Sequence, residues 1–373
     1  MLSISFVGDI MLGRFVAEKF TSKPYDLVSD DVVSVLLKSN VRIANLESPI
    51  TSIESEDSLK FAAKQELLEQ FKWVNCFSLS NNHINDFGFR GMEETIDVLN
   101  RYGIAHNGLY EDVYIPLLIE RYGERVAVIT CTDMMNYEFA ENCPYKTLRV
   151  NRPNEIARAI SDYKQKGYYI ILYAHVGMLF TRFPNPVIRD FTHQMIDKGA
   201  DCIVTAHPHC LGGYEYYKSK LIIYSLGDFL MDGASFRRRK AGILNISISE
   251  GKLIDWGIIP VETDDNLSVR LPKNIIQKEM MNGFNFVSKQ IKKHSNSYLS
   301  FYKLQYKKEL VSHSLSTLRF ESKRRGFTGL FKTLFKRRGA VKGMTKRIIT
   351  DRSSMSYDSD AVGKNNISIK DIR

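Results

Sequence analysis

Asp9, Glu47, Asn82, His83, His175, His207 and His209 stand where apolar runs of this sequence end. The runs are ISFVGD, VRIANLE, CFSLSNNH, YIILYAH and CIVTAHPH, and a sixth, LIIYSLGDF, closes on Asp228. Carboxylate, amide oxygen and imidazole together are the donor mixture that hard or borderline divalent metals take. Asp228 adds a further carboxylate. His207 and His209 flank one proline. On an extended segment residues i and i+2 face the same side, so both rings are expected to reach one centre. Three protein ligands plus an open position make a catalytic metal site, and two metals about 3.5–4 Å apart can clamp a phosphoryl group.

For these side chains to meet, six strand ends must lie along one edge, outside the carboxyl ends of the strands of an α/β protein. The chain reads that way over residues 1–262. Helical spacing occurs at 30–38, 65–71 and 89–102, where Met92, Ile96 and Leu99 are three and four apart. Further helices are expected at 154–165, with Pro153 near the first turn, and at 187–198, ended by Gly199. Strands are expected at 116–120 and 125–131. From 214 to 261 the pattern changes to hairpins with turns at 218–220 and 250–251. This order predicts a layered α/β fold with mixed sheets packed face to face.

Residues 263–326 read as a linker and helical extension. Over 327–338, Phe327, Leu330, Phe331, Leu334 and Phe335 take the spacing i, i+3, i+4, i+7, i+8, and basic residues follow. That is an amphipathic helix with a cationic end. The polar remainder is expected to be disordered. Three segments result: 1–262, 263–326 and 327–373.

With 44% hydrophobic and 25% charged residues in 373, the chain has the composition of a globular protein able to bury a full core. No apolar run approaches the ~18–20 residues of a membrane span. Met1 leads straight into the first strand, so no secretory signal is expected. Five cysteines without a CxxC pair read as core thiols in a reducing compartment. The expectation is a cytoplasmic protein, peripheral at the inner face of the membrane. The net charge of +10 is uneven: from Pro272 onward there are 23 Lys+Arg and 7 Asp+Glu, against 29 and 35 before it. A basic tail calls for an acidic partner. Residues 322–373 are expected on an anionic membrane surface, on a protein assembly or on the chain's own domain. No nucleic-acid-binding motif accompanies the charge, so nucleic acid ranks last.

The segments FVGDIMLGR, ANLESPIT, LSNNHINDFG, His175 with Gly177, and TAHPHCLGGYEYYKSKLIIYSLGDF carry a resemblance. In that order, over about residues 3–250, the chain resembles the bacterial CapA (PGA_cap) capsule-synthesis family, a branch of the calcineurin-like metallophosphoesterase fold. The resemblance implies a four-layer α/β/β/α sandwich carrying a basic, partly helical C-terminal extension. It implies one or two divalent ions (Mn, Fe or Zn) on Asp9, Glu47, Asn82, His175, His207 and His209. His83 would protonate the leaving oxygen or stabilise the transition state as metal-activated water attacks a phosphoester. The substrate would be phosphorylated or polymeric, in the building of poly-γ-glutamate or another capsular polymer.

Arg14 and Asp228 are expected substrate contacts, although Arg14 could instead pair with an acid on the helix. Asp86 either joins the site or caps the following helix. His106, His193, His294 and His313 lie outside the clusters and read as structural or solvated. Three departures stand out. Calcineurin-like enzymes usually carry His two residues after the first Asp, where this chain has Met11. Many family members read HWG with a Glu two residues further on, where this chain has Val176 and Leu179. Asp228 occupies a position where Asn is common. These changes open a second reading: a non-catalytic metal-binding part of a capsule-synthesis complex, docked at the membrane by its tail.

Overall fold

The computed structural model describes residues 1–22, 25–57, 59–133, 135–232, 239–292, 300–304 and 308. All fall in one compact unit, Met1–Ser314. The amphipathic stretch expected at 327–338, the polar end, His294 and His313 lie outside the described residues.

Strands β1 (Leu2–Ile10), β2 (Val41–Leu46), β3 (Cys76–Ser78) and β4 (Ala105–Asn107) run parallel as neighbours. A second sheet holds β5 (Leu117–Arg121), β6 (Glu124–Thr132), β7 (Tyr169–His175), β8 (Cys202–Ala206), β9 (Tyr214–Tyr217) and β10 (Lys220–Ile223) in the order β5-β6-β7-β8-β10-β9. Its interior is parallel, and β5 and β9 are antiparallel edges. Strands β11 (Asp228–Leu230), β12 (Lys240–Ser249), β13 (Lys252–Thr263) and β14 (Val269–Arg270) return to the first sheet. Its order is β14-β13-β12-β1-β2-β3-β4, with β11 beside the end of β1.

Helices α1 (Arg14–Ser22), α2 (Asp30–Leu36) and α3 (Gly88–Arg101) cover the outer face of the first sheet, burying Val16, Leu36 and Leu99. Gln65–Phe71, expected as a helix, is a tighter 3-10 turn on that face. Helices α4 (Pro153–Gln165), α5 (Pro186–Asp197) and α6 (Asn274–Ile291) cover the second sheet, burying Ile160, Phe191 and Val287. Between the sheets lie Ile4, Phe6, Ile43, Ile171, Tyr173, Val204 and Ile246. Along β7 the residues alternate: Tyr169, Ile171 and Tyr173 face the other sheet, and Ile170, Leu172 and Ala174 face the helices. A strand covered on both faces has no polar side, which is why YIILYA is apolar throughout. The result is the four-layer α/β/β/α sandwich.

One backbone irregularity aims the site. Phe6 pairs with Ile43 and Asp9 with Asn45, so three steps of β1 oppose two of β2. The extra residue of this bulge brings Asp9 back to the inter-sheet side shared by Ile4 and Phe6. Gly8 permits it, because a Cβ there would lie 1.8 Å from the Gly227 carbonyl oxygen.

Several elements differ from expectation. Helix α1 and the short strands β4 and β14 carry too little periodicity to stand out. The run LIIYSLGDF is not one strand ending at Asp228. It leaves β10 in the second sheet, turns at Ser225 (φ 66°) and Gly227 (φ 77°), and crosses to the first sheet, where Asp228 opens β11. Within 263–326, β14 pairs with β13, and α6 packs through Met280, Phe284, Val287 and Ile291. Among the described residues no helix is long and apolar enough to cross a membrane. All five cysteines are free thiols, four of them buried.

Candidate metal centre

The first sheet supplies Asp9 from the end of β1, Glu47 just after β2, and Asn82 and His83 from the turn after β3. The second supplies His175 from the end of β7, and His207 and His209 after β8. None of the seven is more than 8% exposed.

Their donor atoms converge. His175 Nε2 lies 2.7 Å from Asn82 Oδ1, 3.0 Å from His207 Nδ1 and 3.6 Å from Glu47 Oε1. An ion with bonds of about 2.0–2.2 Å keeps neighbouring ligand atoms about 3–3.5 Å apart, so this spacing is that of a coordination shell. Asp9 Oδ1 is 3.3 Å from His175 Nδ1, and Asp9 Oδ2 accepts from the His207 backbone N–H at 3.0 Å. His209 Nε2 is 3.8 Å from Glu47 Oε1. Three donor triples each fall within 4.8 Å: Asp9, Glu47 and His175; Glu47, His207 and His209; Asp9, His209 and Asp228.

Glu47 tests whether a cation fits. Both of its carboxylate oxygens are buried and neither has a hydrogen-bond partner. A buried carboxylate is costly unless paired or coordinated to a metal. Surrounded by imidazoles and a second carboxylate, Glu47 fits a divalent cation.

The charges are strongly coupled. Burial pushes the Asp9 carboxyl up, but His175, His209 and the His207 backbone N–H outweigh it and hold Asp9 below its usual range. Burial pulls His175 down, yet Asp9 and Glu47 lift it to about 10. His207 goes the other way, well below its usual value, through burial and the neighbouring His175, His209 and His83. A cation binding here must therefore displace protons, as metal sites do.

The His-Pro-His segment is not extended, so the i, i+2 argument does not describe it. His207 has φ 96° and His209 φ 57°. A kinked turn, costing of order 1–3 kcal/mol at each such residue, delivers both rings; their centroids are 5.7 Å apart.

His83 is held on every side. Its Nδ1 lies 2.8 Å from Asp86 Oδ2, and its ring stacks on Phe61 at 3.7 Å and 13°. The same Asp86 oxygen accepts from the Phe61 backbone N–H at 2.8 Å. Asp86 thus does not cap α3, whose start has no side-chain cap; it orients His83. Arg14 pairs with Asp232, just past β11, and its guanidinium sits 4.3 Å over the Phe61 ring. Asp228 Oδ1 lies 2.6 Å from His209 Nδ1.

Sequence reasoning missed Asn45. Its Nδ2 donates to Asp9 Oδ1 at 2.8 Å and lies 3.1 Å from His175 Nδ1. Its Oδ1 accepts from Asn81 at 3.2 Å. The available signal was a lone amide inside the apolar run VRIANLE. Met11 is fully buried in the layer beneath the first sheet, its sulfur accepting from the Gly13 N–H at 3.1 Å. Val176 is buried under the helices of the second sheet. Away from the centre, His193 meets Glu215 at 2.9 Å, and His106 lies in β4.

A family model described as bacterial capsule synthesis protein PGA_cap matches residues 3–233. The chain belongs to the PGA_cap family. Every donor from Asp9 to Asp228 lies inside the matched segment. Among curated PGA_cap-like relatives, the PGA biosynthesis protein CapA of Bacillus subtilis (strain 168) is 25% identical over 289 residues, 75% of this chain and 76% of that protein. The capsule biosynthesis protein CapA of Bacillus anthracis is 26% identical over 299 residues, 75% of this chain and 72% of that one. Similar solved structures include a 5'-nucleotidase from Candida albicans, 10% identical with a TM-score of 0.40, covering 82% of this chain and 58% of that one.

Proposed function

We propose that this PGA_cap protein is a metal-dependent phosphoesterase acting in the synthesis of capsule or another surface polymer, poly-γ-glutamate or polysaccharide. The orphaned carboxylate of Glu47, from the first sheet and buried among imidazoles of the second, carries the reading. Asp9, Glu47, Asn82, His175, His207 and His209 would hold one or two ions of Mn, Fe or Zn. A bound divalent ion supplies Lewis-acid polarisation of a phosphoryl oxygen and a water of lowered pKa.

The chain's own residues do the rest. His83, among the more exposed members with 10% of its side chain accessible, is the proton donor to the leaving oxygen. Asp86 and Phe61 fix the imidazole, and the Asn136 amide nitrogen, 3.1 Å from Nε2, must give way when that nitrogen acts. Arg14 borders the site through Phe61 and gives Nη2 to Asp232. The charged tail, residues 322–373, would hold the protein on an anionic membrane or on the synthesis machinery.

One observation favours a second reading, a metal-holding but non-catalytic component of a capsule-synthesis complex. The thioether of Met11 is buried in the core two residues after Asp9, so that position offers no imidazole to an ion. The test is hydrolysis of an aryl phosphodiester with Mn by the full chain, beside metal analysis. Turnover that falls about 10²–10⁴-fold in His83→Ala with metal content unchanged supports the enzyme. Bound metal with no turnover on any phosphoester supports the second reading.

A further inference from the structure

Asp228 is 1% exposed and presents Oδ1 to His209 Nδ1 at 2.6 Å. The other ring nitrogen, Nε2, faces the opposite way, 3.8 Å from Glu47 Oε1. The Asp228 carboxylate oxygen, 2.6 Å from Nδ1, accepts a hydrogen bond, which places the imidazole proton on Nδ1 and the lone pair on Nε2. Metal-binding histidines commonly give their second N–H to such an acceptor, which fixes the tautomer and ring orientation. His175 is set differently: its Nδ1 lies 3.1 Å from the Asn45 amide nitrogen, a donor, and 3.3 Å from Asp9 Oδ1.

The backbone puts Asp228 in place for this task. Strand β11 runs parallel to β1 with Asp228 directly opposite Asp9, and the turn through Ser225 and Gly227 brings the chain there from the other sheet. Residue 228 therefore stands on the Nδ1 side of His209, nearer than Asp9 Oδ2 at 3.8 Å, while Glu47 stands on the Nε2 side.

We infer that Asp228 is a positioning residue that locks His209 with its proton on Nδ1 and so commits Nε2 to a divalent ion. The inference rests on the metal reading given above. A carboxylate here also makes the imidazole a stronger donor than an amide would, because it shares the Nδ1 proton more strongly.

The first arm of the test needs no metal. Long-range 1H–15N NMR of the metal-free full chain, with His209 assigned by its loss in His209→Gln, is expected to show the Nδ1-protonated tautomer. Asp228→Ala should lose that preference. The second arm is Mn titration of the same proteins. Asp228→Ala should bind about 10–100-fold more weakly, and Asp228→Asn, which still offers an oxygen to Nδ1–H, should lose less. Thermal unfolding in chelator verifies each fold, and Asp228→Asn carries the comparison if Asp228→Ala does not fold. An Nε2-protonated His209 in the wild type, or Mn affinity unchanged in the variants, overturns the inference. So does an anomalous peak showing an ion bonded to Asp228 itself. A wild type that binds no Mn overturns the metal reading instead, and the NMR arm still decides what Asp228 does to His209.

Discussion

Asn45 donates one amide N–H to the Asp9 carboxylate across 2.8 Å. From the same amide nitrogen, His175 Nδ1 on the other sheet is 3.1 Å away. One side chain thus orients a donor from each half of the sandwich. Asn45→Leu is expected to weaken Mn binding about 10–100-fold. It should also cost about 1–3 kcal/mol of stability through the unmet partners. Calorimetric titration and urea denaturation read the two effects, and an unaltered Mn affinity would remove Asn45 from the site.

Glu47 governs the cation. Adding Mn to metal-free protein should raise its stability, by about 2.7 kcal/mol at a hundredfold excess over the dissociation constant. Glu47→Gln should abolish that response, read as the Mn-induced shift from each protein's own metal-free melting point. Melting curves with and without Mn decide it; a wild type indifferent to Mn is the contrary result.

Gly8 sets the register of the whole centre. In Gly8→Ala the methyl group would collide with backbone, at 1.8 Å from Gly227 O, and backbone cannot swing aside as a side chain can. A loss of more than about 3 kcal/mol is expected, at the upper end of overpacking costs. Soluble yield and the urea midpoint measure it, and a near-neutral substitution would mean that β1 and the 225–227 turn move apart freely.

Acid should unfold the protein partly through Glu215. Burial pushes this carboxyl up, but hydrogen bonds from Arg189, His193 and Tyr224 bring it down to about 2. A depressed carboxylate contributes stability that is full above its unfolded value of 4.5 and lost as pH falls toward 2. The contribution is of order 3 kcal/mol at neutral pH. Unfolding free energy followed from pH 6 to pH 2 should fall less steeply in Glu215→Gln than in the wild type. Parallel curves would assign the acid sensitivity elsewhere.

Much of the site was legible because carboxylate, amide and imidazole stood at strand ends, where α/β proteins expose functional groups. His175 and Asn82 needed only that rule. Asp86 was ambiguous because an acid before a helix has two uses, and only the position of His83 three residues earlier decides between them. Asp9 was placed on the right strand, yet its facing depends on a bulge at Gly8 that no period-two pattern displays. Asp228 was read as a strand end because the apolar run continues unbroken through the turn at Ser225 and Gly227. A run that changes sheets without changing polarity hides the crossing, since both sheets demand buried residues there. Helix α1 was missed because its nine residues, RFVAEKFTS, carry too little periodicity to stand out.

Tyr173 reaches from the second sheet to donate its hydroxyl to the Val7 carbonyl of the first at 2.7 Å, and its ring meets Phe6 edge-on at 5.4 Å. Two residues further along each strand's approach to the edge lie Asp9 and His175. The layer of Phe6, Ile43, Ile171, Tyr173 and Val204 is therefore a spacer whose thickness sets how far apart the donors of opposite sheets stand. Close-packed interiors transmit a change of even one methylene. The separation of the ligands is thus written into apolar residues that never touch an ion, and a swap such as Tyr173→Phe would retune the centre from behind.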